Sequence, residues 1–407
     1  MSLPGGKDGS EEADDGASSP SGGVEELAAM SPEEALNALE ASGLFQGQPE
    51  ELVLRLRLLV ANGVHPLAAL RFSEVPESPQ ERVLSSFDVD GIAQHIISQG
   101  CRRVVVMCGA GISTSAGIPD FRTPGTGLYD NLQRFNLSRP ELIFDLDFFR
   151  SQPEAFYELC KDMWPGNYEP TPTHHFIRLL HEKGILLRCY TQNIDSLECR
   201  AGLPSASLVA AHGNFDSAHV IDTEPEKEVD IAELKAALDR GAEGWMELRE
   251  RYGNLVKPKI VFFGEALPDR FSDLCRTDLK SADMLIVLGT SLVVQPFAGL
   301  INRVNDSVPR LLVNRQPAGT CDELPRGFRF HLEKEGENWR DAYFEGDCDA
   351  GCRALATSLG WYADLEALVT SNGSAPVEPA PWVSEPEARG GATTGDNSPA
   401  VNSGKRK

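Results

Sequence analysis

Residues 109–122 read Gly-Ala-Gly-Ile-Ser-Thr-Ser-Ala-Gly-Ile-Pro-Asp-Phe-Arg and follow a β-branched run, Val104-Val105-Val106. A strand, a Gly-x-Gly turn and then a helix is an arrangement α/β sheets use to hold phosphate. The glycines let backbone approach the ligand, and a helix N-terminus offers free N–H groups and a positive partial charge. The third glycine, Gly117, comes later than the G-x-G-x-x-G dinucleotide fingerprint would place it. The turn alone is therefore a weak indication of nucleotide binding.

Other reactive residue types recur directly after short apolar runs. Gln192, Asn193, Ile194 and Asp195 follow a predicted strand Leu186–Thr191, and His212 follows Leu208–Ala211. Gly289, Thr290 and Ser291 follow Met284–Leu288, and Asn314, Arg315 and Gln316 follow Arg310–Val313. A further strand is predicted over Lys259–Phe263, and an amphipathic helix over Phe87–Ser98 leads into the first strand. Apolar runs alternating with helices predict an α/β, doubly wound parallel (Rossmann-like) sheet, which binds ligands at the C-terminal ends of its strands. Taken singly, each residue has a plainer reading. His212 could be a structural strand-end histidine, and Gln192 to Asp195 a polar turn with side-chain capping. With an ordinary pKa near ~6.5, His212 also suits proton removal at neutral pH.

Together the segments resemble the sirtuins, the NAD-dependent protein deacylases. Gly117-Ile118-Pro119-Asp120-Phe121-Arg122 is similar to their cofactor loop, and Thr191-Gln192-Asn193-Ile194-Asp195 to their nicotinamide-ribose motif. His212-Gly213 resembles the general base, Phe263-Gly264-Glu265 the substrate strand, and Gly289-Thr290-Ser291-Leu292 a second nucleotide turn. The match runs from about residue 82 to about residue 365. Leu128–Leu132, Val261–Glu265 and Gly346–Asp349 resemble class I, the sirtuin-two branch.

The resemblance implies that NAD is held by Gly109, Ala110, Gly111, Ile112, Ser113, Thr114, Asp120, Phe121 and Arg122. It implies further contacts from Gln192, Asn193, Ile194, Asp195, Gly289, Thr290 and Ser291, and Asn314, Arg315, Gln316 and Cys348 at the adenosine end. Gln192 and Asn193 would hold the nicotinamide ribose and a water, Asp195 the nicotinamide carboxamide, and Phe121 would shield the reactive face. Asp120 and Arg122 would fix the loop. His212 and Asn193 would be catalytic. In the reaction that the resemblance implies, the acyl-lysine oxygen would attack the ribose carbon as nicotinamide leaves, His212 would help activate a ribose hydroxyl, and water would complete transfer to ADP-ribose. Val261, Phe263, Gly264 and Glu265 would form one edge of a peptide cleft and Val294 the other, adding the substrate backbone as a strand. Gln316 stands where relatives usually carry Glu, so weaker NAD binding is expected. No arginine lies between Thr123 and Gln133 to pair with an acidic acyl group, so neutral acyl groups are expected. Mono-ADP-ribosyl transfer and NAD-responsive binding of acylated proteins without turnover are the alternatives.

One family feature is missing. Relatives carry four zinc cysteines between the His-Gly and Phe-Gly-Glu motifs, and this chain has no cysteine between Asn214 and Phe263. The corresponding positions are Val220, Pro225, Arg249 and Tyr252, so zinc is predicted absent. Ile231, Leu234 and Leu238, then Trp245, Leu248 and Tyr252, recur at helical spacing with Gly241 and Gly244 between them. This predicts that a helical hairpin replaces the zinc ribbon in a small lobe at about 214–256.

Composition bounds the rest. The chain has 407 residues, 41% of them hydrophobic, and a net charge of −23. That balance argues against nucleic acid and for attraction of basic acylated tails, such as those of histones or tubulin. Nine cysteines without framework spacing read as reduced thiols inside a cell. No apolar run reaches membrane-spanning length, and residues 1–16 lack a signal-like segment. The expected location is therefore cytoplasmic, nuclear or both. Residues 1–23 and 369–407 are expected to be disordered. Residues 24–72 are expected to form a helical hairpin opening at Ser31-Pro32, faintly resembling the SAP DNA-binding module. Seven acids against three arginines there argue for packing or partner contact and against direct DNA binding. A catalytic domain is expected over 82–368.

Overall fold

The computed structural model describes residues 30–41, 57, 81–118, 137, 139–320, 327–333 and 337–371. Asp120, Phe121, Arg122, Leu128–Leu132 and Cys321 lie outside the described residues, as do residues 1–23, most of the second half of the 24–72 hairpin and 372–407. The chain divides into two units, one of residues 1–82 with 319–339 and one of residues 83–318 with 340–407.

In the first unit, helix α1 (Pro32–Ala41) starts where the Ser-Pro signal places it. The Ser31 hydroxyl accepts from the Glu34 peptide N–H (3.4 Å), while the Glu34 carboxylate accepts from the Ser31 peptide N–H (3.1 Å). This is a reciprocal cap. Ala35, Leu36 and Leu39 form its buried face.

The second unit runs α2 (Val89–Gln99), β1 (Val104–Cys108), α3 (Leu146–Ser151), α4 (Pro153–Asp162), α5 (Pro172–Glu182), β2 (Leu186–Thr191) and α6 (Leu197–Arg200). It continues with β3 (Leu208–Ala210), β4 (Gly213–Val220), β5 (Lys227–Val229), α7 (Ile231–Asp239), α8 (Ala242–Tyr252) and β6 (Val256–Ile260). It ends with α9 (Asp269–Ser281), β7 (Met284–Leu288), β8 (Arg310–Asn314), β9 (Asp341–Glu345), α10 (Cys348–Ser358) and α11 (Tyr362–Ser371). Six strands form one parallel sheet in the order β3-β2-β1-β7-β8-β9. Strand order reverses between β1 and β7, which makes their C-terminal ends the switch point where doubly wound sheets bind ligands.

Both faces of this sheet are covered, which is why its central strands β1 and β7 read as unbroken apolar runs. Val104, Val106 and Cys108 of β1 pack into a core with residues of α2, α5, α10 and α11. On β2, Tyr190 and Arg188 both donate to Asp278 of α9, at 2.7 and 2.9 Å. The β8–β9 edge holds a fully buried pair, with Arg310 Nε and Nη2 each 2.6 Å from an Asp341 oxygen. Helix α2 is capped by Asp88, whose carboxylate accepts from the Gly91 peptide N–H at 2.8 Å. Asp88→Ala should lower stability by about 1 kcal/mol, read as a shifted denaturant midpoint at unchanged m-value.

The small lobe departs from the expected helical replacement. It keeps a three-stranded antiparallel sheet, order β5-β4-β6, and packs the α7–α8 hairpin against it. Leu234, Leu238, Trp245 and Leu248 are buried there, while Ile231 and Tyr252 are partly exposed. Glu233 of α7 ties the helices together by accepting from Tyr252 (2.7 Å) and Arg251 of α8. Gly244 lies inside α8 and not in the turn, because α7 comes so close that a Cβ there would meet the Ala237 carbonyl oxygen at 2.0 Å. The strand expected at Lys259–Phe263 is β6, three residues earlier, and belongs to this small sheet. Among the described residues, no helix is long and apolar enough to cross a membrane.

Candidate active site

Gly109 begins directly where β1 ends, and Gly289 directly where β7 ends. The two turns touch: Gly109 N–H donates to Leu288 O (3.1 Å) and Gly111 N–H to Gly289 O (2.8 Å). A Cβ on Gly111 would lie 2.7 Å from Gly289 Cα, and one on Gly289 2.7 Å from Gly111 C. Both positions therefore require glycine. The helix expected after the turn is instead two short 3-10 segments, Ala110–Ile112 and Thr114–Ala116, ended by Gly117 at φ 90°. Three glycines within nine residues leave too little helix propensity to propagate an α-helix.

The β2 end supplies the polar groups. Asn193 Nδ2 reaches both Gly109 O and Ser113 Oγ at 3.2 Å. Ser113 donates to Asp195 Oδ2 at 2.7 Å, and the Leu197 peptide N–H to Asp195 Oδ1 at 3.0 Å. Ser113, Asn193 and Asp195 are all buried, and burial raises the pKa of Asp195. Ile118 and Ile194 anchor the two motifs in the lobe core. Thr290 donates to Gln192 Oε1 at 2.7 Å, which fastens the second glycine turn to the β2 motif. Thr114 bonds back to Gly111 O at 3.2 Å, and Ser291 is exposed.

His212 stands one residue past Ala211, whose N–H continues the β2–β3 pairing to Thr191 O at 2.9 Å. Its Nδ1 is 3.0 Å from Gln192 O. A carbonyl can only accept, so Nδ1 carries the proton and Nε2 presents the lone pair. Burial lowers its pKa, opposed by that carbonyl contact. Gly213 has φ 70°, and a Cβ there would sit 1.7 Å from Lys259 O, so the His-Gly pair is needed for β4 to leave the site.

The expected peptide edge is coupled to this histidine through the backbone, since the Val261 N–H donates to His212 O at 2.8 Å. Extended residues alternate sides. Phe262 is buried against Phe149 and Phe156, with ring centroids 5.6 and 4.7 Å away, while Phe263 is 56% exposed. Gly264 turns the chain at φ 91°. Glu265 points inward, accepting from Phe262 N–H (2.6 Å) and the buried Lys257 ammonium (3.1 Å). It shapes the edge rather than lining it. On the other edge Val293 is 57% exposed and Val294 is half-buried.

At the far end, Asn314 donates to Gln316 O at 2.8 Å, and Arg315 pairs with Asp347 at 2.5 Å on the surface. Cys348 is buried behind them, its thiol pushed up to about 12 by burial. Sequence reasoning missed Asp349 as a site anchor. Asp349 accepts from Ser115 (2.6 Å) and Thr173 (2.6 Å), joining the glycine turn to α5 and α10. It also missed His174 and Glu198 behind Asp195, although Glu198 follows Asp195 by three residues in the same motif.

A family model for the Sir2 family matches residues 109–296. The chain is 44% identical over 298 residues to NAD-dependent protein deacetylase sirtuin-2 of Danio rerio, covering 72% of this chain and 77% of that protein. It is 43% identical to NAD-dependent protein deacetylase hst2 of Schizosaccharomyces pombe, covering 72% of this chain and 82% of that protein. It is also 44% identical to NAD-dependent protein deacetylase sirtuin-3 of Mus musculus, covering 70% and 79% respectively. The two glycine turns, the buried Asn193–Ser113–Asp195 chain and the strand-end histidine therefore sit in a shared framework, and the chain belongs to the Sir2 family.

Proposed function

We propose that the protein is an NAD-dependent protein-lysine deacetylase that moves the acyl group from lysine to ADP-ribose and releases nicotinamide. The observation that carries this reading is the meeting, at one switch point, of a buried amide–hydroxyl–carboxylate chain, a histidine of fixed tautomer and an exposed aromatic edge bonded to that histidine's backbone.

The residues fit NAD. The backbone contact at Gly111 and Gly289 leaves no room for side chains between the turns. Asp195 offers a carboxylate matched to a carboxamide, and Asn314 and Arg315 suit the adenosine end. When bound, NAD would supply a ribose carbon made electrophilic by loss of nicotinamide, and hydroxyls able to receive the acyl group. Ser113 and Leu197 would orient Asp195 toward the base. Gln192, held by Thr290, and Asn193 would position the ribose, and His212 Nε2 would take a proton from a ribose hydroxyl. Phe263 and Val293 would cover the acyl-lysine and limit water. Asp195→Asn should weaken nicotinamide inhibition by about tenfold and slow NAD cleavage. Unchanged inhibition would assign the base to another residue.

The substrates are acylated lysines on basic protein segments, histone or tubulin tails among them, drawn by the net charge of −23. The small lobe, we infer, stands without zinc. Val220 and Tyr252, at expected cysteine positions, join the lobe's packing, and its interior is filled by Leu234, Leu238, Trp245 and Leu248. The test of function is the mass of an acetyl-lysine peptide incubated with the protein. Loss of the acetyl group only when NAD is present supports the reading. No loss, or loss without NAD, overturns it.

A further inference from the structure

Behind the Asp195 carboxylate lies a cluster that the reading above leaves without a task. One nitrogen of His174 and one carboxylate oxygen each of Asp195 and Glu198 lie within 4.8 Å of one another. All three residues are buried, at 0%, 4% and 1% exposure. His174 Nε2 and Glu198 Oε2 have no hydrogen-bond partner among the described residues.

The tautomer of His174 follows from its cap. The Thr171 peptide N–H donates to His174 Nδ1 at 3.1 Å, and the Thr171 hydroxyl lies 2.7 Å from the same nitrogen. A peptide N–H cannot accept, so Nδ1 supplies the lone pair and Nε2 carries the hydrogen. Burial drives the histidine's pKa down to about 3, so it stays neutral. A ring whose open nitrogen holds a hydrogen is a donor and not a metal ligand. The cluster is therefore a hydrogen-bonding one.

The proton count also follows from geometry. Two carboxylates this close and this deeply buried do not both ionise. Both Asp195 oxygens already accept, from Ser113 and from Leu197. Glu198 accepts from the Thr191 hydroxyl and has a thiol contact from Cys108 at 3.7 Å on Oε1, while its Oε2 has no partner among the described residues. The better-solvated carboxylate keeps the charge and the other keeps the proton. Burial and the neighbouring Asp195 push Glu198 up to about 7. The charged and titratable groups around it do not offset this. Arg178 is engaged with Glu182 and Ala201 O, and Arg200 with Glu169. His175 is kept neutral by burial, and burial likewise raises the Cys108 and Cys199 thiols.

We propose that Glu198, in its neutral form, and the His174 Nε2–H are positioning residues that hold Asp195 as a single oriented carboxylate for the nicotinamide carboxamide. The inference rests on the reading of Asp195 above. As Glu198 ionises, a second negative charge appears behind Asp195 and the grip on the base loosens.

The test follows the nicotinamide inhibition constant from pH 6 to 9 in wild type, Glu198→Gln, Glu198→Ala and Asp195→Asn. ADP-ribose, which lacks the base, serves as a binding control. In wild type, inhibition should weaken on the order of tenfold as pH rises through the Glu198 range. Glu198→Gln, permanently neutral, should be flat with pH and within about threefold of the wild-type value at pH 6. Glu198→Ala should lose about tenfold at every pH, with ADP-ribose binding changed by less than about twofold. A flat wild-type profile, a Glu198→Gln profile that superposes on a sloping wild-type one, or an equal loss of ADP-ribose binding in Glu198→Ala overturns the proposal. Should Glu198→Ala fail to fold, the Glu198→Gln profile decides. Unchanged inhibition in Asp195→Asn sinks the site reading itself. Lost inhibition there, beside matching Glu198→Gln and wild-type profiles, sinks this inference alone.

Discussion

His212→Ala should lower kcat/KM for deacylation by about 10²–10⁴-fold, the usual contribution of a positioned general base, while leaving the thermal midpoint close to that of wild type. The imidazole is half-buried and, among the described residues, makes one hydrogen bond, to Gln192 O, so little packing is lost with it. The backbone contact from Val261 N–H to His212 O does not depend on the side chain. The pH profile carries the sign. The base works when deprotonated, and burial lowers its pKa below the ordinary value. Activity should therefore hold across neutral pH and fall on the acid side, with a midpoint below ~6.5. A clean His212→Ala preparation that turns over like wild type would remove the histidine from the chemistry.

The second large effect concerns the lobe. Trp245 is buried, with its ring 5.5 Å from that of Tyr157, whose hydroxyl donates to Val256 O at 2.8 Å. It thus links the α7–α8 hairpin to α4 and β6, the strand leading into Phe262 and Phe263. Trp245→Ala should cost about 3–5 kcal/mol, read as a lowered denaturant midpoint. It should also raise KM for peptide more than KM for NAD, because the loss reaches the Phe263 edge. On the zinc-free proposal, chelators should leave the wild-type midpoint unchanged, because side-chain packing would do the work that a metal otherwise does in such a lobe. One zinc per chain after purification in metal-free buffer would contradict the zinc-free proposal.

Much of the framework was legible because strands buried on both faces are predominantly apolar. Leu186–Thr191 and Met284–Leu288 match β2 and β7 residue for residue. β9 was not legible. Asp341-Ala-Tyr-Phe-Glu starts on a carboxylate, and only its pairing with buried Arg310 makes that charge tolerable in a sheet. β4 was missed because Gly-Asn-Phe-Asp-Ser-Ala-His-Val lacks a β-branched run and draws its order from β5 and β6. The hairpin helices showed in their apolar spacing, whereas Gly244 read as a turn because a close helix approach leaves the same residue type. At the site, the motifs named the residues, but contacts between residues some eighty positions apart needed the fold. Ser113 on Asp195 is such a contact, as is Asn193 on Gly109 O.

The central claim is the transfer of an acyl group from lysine to ADP-ribose. Its most direct measurement is the ratio of three products in one reaction with an acetyl-lysine peptide and NAD: free nicotinamide, deacetylated peptide and acetyl-ADP-ribose. The wild-type protein should form the three in equal amounts, and His212→Ala should form deacetylated peptide and acetyl-ADP-ribose about 10²–10⁴-fold more slowly. Nicotinamide released in excess of deacetylated peptide, or ADP-ribose found attached to protein in place of acetyl-ADP-ribose, would contradict it.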